Sequence, residues 1–148
     1  MPIKFLLIDD DPDDRELFSD AIEEVDRGIV CYIASDGKKA FAKLDNGEIA
    51  LPDLIFLDIN MPGLSGWDCL LKLKAHEVYS NIPVIMYSTS SSEADIARAN
   101  SLGALWFFTK PLNFKELKKS LEIVIQNLKN NSLSSITLAS ATSALSAQ

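Results

Sequence analysis

Residues 3–12 read Ile3-Lys4-Phe5-Leu6-Leu7-Ile8-Asp9-Asp10-Asp11-Pro12. A short, almost wholly apolar run ends abruptly in three carboxylates, and a proline comes at once. An apolar run without polar alternation reads as a strand covered on both faces, as in a parallel sheet. Asp11-Pro12 then reads as the opening of a helix, with Pro inside the first turn where its missing N–H costs nothing.

Four further runs of the same kind lie downstream: Ile29–Ile33, Leu54–Leu57, Ile82–Tyr87 and Leu105–Phe108. Helical stripes separate them. The first comprises Leu17, Ala21, Ile22 and Val25, and Gly28 is expected to close that helix. Ala40, Phe41 and Leu44 form the second; Cys69, Leu70 and Leu73 the third; Ile96, Ala97 and the residues before Gly103 the fourth. Leu117, Leu121, Val124, Ile125 and Leu128 form the last and clearest. Strands alternating with amphipathic helices predict an α/β fold, a doubly wound five-stranded parallel sheet with five flanking helices. The right-handed crossover rule leaves few ways to wind it. Residues 1–130 read as one compact domain. Residues 131–148, rich in Ser and Ala and free of charge, read as a tail or as an extension of the last helix.

Composition narrows the functional classes. The chain has 148 residues, 47% hydrophobic and 24% charged, enough to bury a core without disulfide or metal staples. Its apolar runs are too short to span a bilayer, and the N-terminal run gives way to aspartates rather than to a small-residue cleavage site. A cytoplasmic location without membrane association is expected. A net charge of −7 argues against nucleic acid, whose phosphates call for clustered Lys and Arg. Cys31 and Cys69 read as two buried, reduced thiols and His76 as a surface histidine. Trp67 is expected to pack at the start of the third helix near the pocket, and Trp106 along strand five.

The chemistry lies at the carboxyl ends of the strands. Asp9-Asp10-Asp11 ends strand one, Asp58 strand three, Ser88-Thr89 strand four and Thr109-Lys110 strand five. In an open parallel sheet those ends share one edge, where ligands bind. Crowded carboxylates call for a hard divalent cation, and Mg²⁺ suits a site of few protein oxygens. Lys110 adds a second positive charge and Ser88 a hydroxyl for a phosphoryl oxygen. A carboxylate beside the metal can then act as a nucleophile and form an aspartyl phosphate. Taken singly, each group has a plainer role. The aspartates after strand one suit the positive end of a helix, and Asp13 and Asp14 are expected to do no more than that.

Four motifs carry a resemblance: Leu-Leu-Ile-Asp9-Asp10-Asp11-Pro12, Asp58-Ile-Asn60-Met61-Pro62-Gly63-Leu-Ser-Gly66, Pro83-Val-Ile-Met-Tyr-Ser88 and Thr109-Lys110-Pro111. In order and spacing the chain resembles the receiver domains of two-component response regulators, of the single-domain CheY-like kind. The resemblance implies the flavodoxin-like strand order 2-1-3-4-5. It implies Asp58 as phosphoacceptor; Asp10, Asp58 and the main-chain carbonyl of Asn60 as Mg²⁺ ligands, with Asp9 direct or through water; and Ser88 and Lys110 as contacts of the phosphoryl group. It also implies a cis Lys110–Pro111 bond and Phe107 as a switch residue that turns inward on phosphorylation. Phe107 stands where many relatives have Tyr, and Ser90 and Asn60 occupy positions tied to the lifetime of the phosphoryl group.

The function implied is a stand-alone response regulator, not an enzyme beyond its own phosphorylation and dephosphorylation. Its partners are a histidine kinase or histidine phosphotransfer protein and a separate output protein, with a homodimer through helix four, strand five and helix five as a further form. A phosphorelay intermediate, or a receiver that has lost phosphorylation and only binds, remain alternatives. A flavodoxin-like electron carrier would need a hydroxyl- and glycine-rich loop where this chain has aspartates. A haloacid-dehalogenase-type phosphatase would carry its nucleophile after strand one.

Overall fold

The computed structural model describes residues 2–130; the expected tail, 131–148, lies outside the described residues. In chain order the elements are β1 (Lys4–Ile8), α1 (Pro12–Val25), β2 (Val30–Ala34), α2 (Gly37–Asp45), β3 (Leu54–Asp58), α3 (Gly66–Ala75), β4 (Val84–Ser88), α4 (Glu93–Ser101), β5 (Trp106–Thr109) and α5 (Phe114–Lys129). A 3₁₀ turn, Tyr79–Asn81, lies before β4. All strands are parallel, in the order β2-β1-β3-β4-β5. Fold class and strand order match the expectation, and strand ends differ from it by a residue or two.

Burial on both faces holds for β3 and β4, every residue of which is buried, and for all of β1 after Lys4. It fails at β2, where Val30 and Ile33 are exposed. An edge strand has a neighbour on one side only, so apolar content there does not guarantee burial. The first helical stripe is also phased differently. Phe18 is fully buried, whereas Leu17 is 46% exposed. Either residue fits a 3.6-residue period with Ala21 and Ile22, and the core takes the larger ring. Asp26, not Gly28, ends α1: its N–H bonds the Ile22 carbonyl, and its carboxylate then accepts the Gly28 N–H at 2.9 Å. In α4 the fully buried residue is Ala99, with Ile96 half-buried and Ala97 exposed.

Phe18 is the centre of an aromatic cluster on the α1 side of the sheet. Its ring lies 4.8 Å from Phe56 and 5.6 Å from Tyr87, both edge-on, and Phe108 packs 5.2 Å from Tyr87. Such edge-to-face pairs add to the stabilisation from burial alone. Phe18→Ala is expected to cost about 3–5 kcal/mol, the range for removing a fully buried aromatic ring. Urea unfolding of the two proteins checks this, and Leu17→Ala should cost far less in the same assay.

Candidate functional site

Register explains why distant carboxylates meet. Ile8 of β1 pairs with Leu57 of β3, so the next residue on each strand, Asp9 and Asp58, leaves the sheet side by side. Asp9 is fully buried, Asp58 is 5% exposed and Asp10 is exposed. Carboxylate oxygens of these three lie within 4.8 Å of one another. Asp9 Oδ1 accepts the Asp11 N–H at 2.9 Å, and Arg15 ties the start of α1 to this strand end by donating to the Asp9 carbonyl.

Lys110 enters from the end of β5, its backbone N–H held by the Ser88 carbonyl at 2.7 Å. Its ammonium lies 2.9 Å from Asp9 Oδ2, 2.8 Å from Asp14 Oδ2 and 3.6 Å from Asp58 Oδ1, above the ring of Tyr87 at 5.1 Å. Only the Asp14 contact has the alignment of a hydrogen bond. The Asp9 contact is an ion pair without that alignment, so buried Asp9 Oδ2 keeps an unused acceptor direction. Burial works against the Lys110 charge, but the attraction of Asp14 and Asp9 outweighs it and holds the ammonium firmly protonated. Burial above all, then the Asp9 charge, pushes Asp58 up to about 7, with Lys110 opposing. Asp9 is likewise raised by burial.

Three crowded carboxylates, one with a buried oxygen lacking a hydrogen bond, form the hard-oxygen set that suits a small divalent cation. Ser88 is fully buried, and its hydroxyl accepts the Ser90 N–H at 3.1 Å. Ser90 in turn donates to Asp95 of α4 at 2.7 Å, a chain of contacts running from the pocket wall into that helix. Asn60 lies two residues past Asp58 in the loop before α3, its side chain exposed.

Two expectations need correction. The Lys110–Pro111 bond is trans, as is every described peptide bond; trans is the lower-energy form of a prolyl peptide. Phe107 needs no inward turn, being fully buried already. Its ring carries no hydroxyl to keep near water, so burial is its default.

Other residues take the places expected of them. Trp67 is buried at the start of α3, with the Arg98 guanidinium of α4 stacked 4.5 Å from its ring. Trp106 is buried in β5. Cys69 is a buried free thiol as expected, whereas Cys31, on the edge strand β2, is only half-buried; desolvation pushes both to about 11. His76 is exposed and stacked on Tyr79.

Two site residues escaped the sequence reading. Asp14 does not merely serve the helix end, because Asp11 alone caps α1, accepting the Asp13 and Asp14 N–H groups. Asp14 lies four residues before Phe18 and seven before Ala21 and so shares their sheet-facing side; that spacing was present in the sequence, but an acid in the first turn was read as serving the helix end alone. Gly66, whose N–H bonds the Ile59 carbonyl at 2.8 Å, is the other. A Cβ there would fall 2.1 Å from the Asp58 carbonyl oxygen and 2.6 Å from Ile59 Cα.

The family model for the response regulator receiver domain matches residues 5–122. The probable methanogenesis regulatory protein FilR2 of Methanothrix harundinacea is 32% identical over 125 residues, 82% of this chain and 80% of its own length. A protein-glutamate methylesterase/protein-glutamine glutaminase of Trichodesmium erythraeum is 32% identical over 84% of this chain, which spans only 35% of that relative; for rice PRR37 the span is 15%. Among solved structures, the phosphorylated cyanobacterial phytochrome response regulator RcpA superposes with a TM-score of 0.78 at 27% identity, covering 86% of this chain and 94% of its own. The Mn²⁺-bound response regulator Rcp1 gives 0.73 at 29%, covering 93% and 99%. The chain belongs to the response regulator receiver domain family. Receiver domains are the phosphorylatable input modules of two-component signalling, and the chain carries the acidic cluster with which they take Mg²⁺ or Mn²⁺.

This geometry has two measurable consequences. Gly66→Ala forces backbone apart beside Asp58 and should destabilise the protein by on the order of 2 kcal/mol or more, read from the urea midpoint. The second concerns pH. The folded, metal-free protein keeps the Asp58 proton up to about 7, whereas the unfolded chain releases it near 3.8. The folded state thus holds the extra proton between those values, and that contribution to stability is whole below the lower value and lost as pH rises through the upper. Relative to Asp58→Asn, the urea midpoint of the metal-free protein should fall across this window; a rise would contradict the sign.

Proposed function

We propose that the chain is a phosphorylation switch that takes a phosphoryl group from the phosphohistidine of a histidine kinase or histidine phosphotransfer protein onto Asp58, with Mg²⁺ held by Asp9, Asp10, Asp58 and the main-chain carbonyl of Asn60. The observation that carries this reading is the convergence of Asp9, Asp58 and Lys110 at one sheet edge, with distances of 2.9 and 3.6 Å from the ammonium to the two carboxylates. The phosphorylated state of RcpA and the Mn²⁺ bound by Rcp1 support it by likeness.

The carboxylates of Asp9, Asp10 and Asp58 and the Asn60 carbonyl would hold the cation, which would favour their ionised form and offset charge on the phosphoryl oxygens. Asp58 then offers a carboxylate oxygen in line with the P–N bond of the donor. The O–P bond forms as the P–N bond breaks; the electron pair returns to the imidazole nitrogen, which takes a proton from solvent. Lys110 neutralises a phosphoryl oxygen, and the Ser88 hydroxyl donates to another. Positioning and charge neutralisation are most of what such a transfer requires.

On this reading the protein turns over no substrate other than its own acyl phosphate. Motion at Ser88 would pass through Ser90 and Asp95 to α4, altering the surface of α4, β5 and α5 for a separate output protein or a second copy. With Phe107 already inside, the signal would lie in what surrounds that ring. A cytoplasmic setting fits a phosphohistidine donor, and among the described residues no helix is long and apolar enough to cross a membrane.

Incubation with acetyl phosphate and Mg²⁺ should add the mass of one phosphoryl group to the wild type and none to Asp58→Asn. Labelling that survives the substitution would move the acceptor elsewhere, and an unlabelled wild type would leave a receiver that only binds.

A further inference from the structure

Asp14 is the one carboxylate at this pocket that neither the acidic cluster nor the helix cap uses. Asp11 satisfies the N–H groups at the start of α1, so the Asp14 side chain is free for another role. It lies in the first turn on the sheet-facing side and receives the one well-aligned hydrogen bond that the Lys110 ammonium makes to a carboxylate, at 2.8 Å. Asp58 stands farther off, at 3.6 Å, beyond hydrogen-bond distance. Lys110 is thus drawn to the α1 side of the pocket, away from the residue whose phosphoryl group it would have to meet.

We propose that Asp14 is a positioning residue that competes with Asp58 for the Lys110 ammonium and so slows phosphoryl transfer. This rests on the reading of Asp58 as phosphoacceptor. An ammonium has three donors on one compact charge, and each bond's direction constrains the others. While the best-directed one points at Asp14, approach of a phosphoryl oxygen to Asp58 requires that bond to loosen or break. The side chain of Asp14 is 31% exposed against 8% for Asp58, so its grip is moderated by water and can be released at modest cost. Asp14 touches neither donor nor acceptor atoms; it acts through Lys110.

The test is a double-mutant cycle on the rate of phosphoryl mass gain with acetyl phosphate and Mg²⁺, using wild type, Asp14→Asn, Lys110→Ala and the double variant. Asp14→Asn keeps the side-chain shape and should raise the rate roughly threefold to fivefold, the size expected for releasing a partly exposed ion pair. In the Lys110→Ala background the same substitution should change the rate less than about twofold. Asp14→Glu restores the charge within reach of Lys110 and should return the rate toward that of the wild type. An equal gain with and without Lys110 would mean simple repulsion of the anionic donor and would overturn the competition. So would a rate that is unchanged or lower in Asp14→Asn while that variant still labels. A wild type that gains no phosphoryl mass overturns the reading of Asp58 first, and the competition with it.

Discussion

One lysine ammonium stands among carboxylates that could not otherwise share so small a space. Asp9 is wholly buried and Asp58 nearly so; burial raises the pKa of both, and the Asp9 charge raises that of Asp58 further. Lys110 lies within 4 Å of both and of Asp14, and Asp10 adds a further acid at the rim. A low-dielectric strand end with this composition stays short of positive charge even with Lys110 in place. That deficit is the chemical identity of the pocket. Together with burial it favours a proton on Asp58 and suits a small cation.

The scaffold serves that arrangement at close quarters. Lys110 rests over Tyr87, which belongs to the cluster built on Phe18, Phe56 and Phe108. The core therefore forms the floor of the site, and a loss of packing under α1 would be felt in the placement of the ammonium. On the other side Gly66 lets α3 begin against the backbone of Asp58 and Ile59, with Ser65 and Asp68 closing its first turn as a reciprocal cap. The segment that carries Asp58 is fixed by contacts that leave no room for even a methyl group.

Most of this was legible in the sequence because it depends on two strong regularities. Branched apolar runs marked the central strands, and the polar residues directly after them marked the shared edge; Asp9, Asp58, Ser88 and Lys110 emerge from those alone. The residues that escaped depend on finer phase. Leu17 and Phe18 fit the same helical stripe until volume decides between them; Asp14, seven residues before Ala21, falls on that face either way and was passed over because an acid in the first turn reads as serving the helix end. Apolar β2 looks like any inner strand until its place at the edge is known. The prolyl isomer at Lys110–Pro111 and the inward ring of Phe107 are local conformational choices on which strand and helix periodicity has no bearing.

Helix α4 has an unusual mechanical standing. Ala99 is its only fully buried side chain, so little apolar surface binds it to the sheet, while the Ser90–Asp95 hydrogen bond and the Arg98 stack on Trp67 hold it by its polar groups. A helix moored by hydrogen bonds and a cation–π contact can pivot without opening a void in the core. Of the five helices α4 has the smallest buried anchorage, one alanine against three or more buried residues in each of the others.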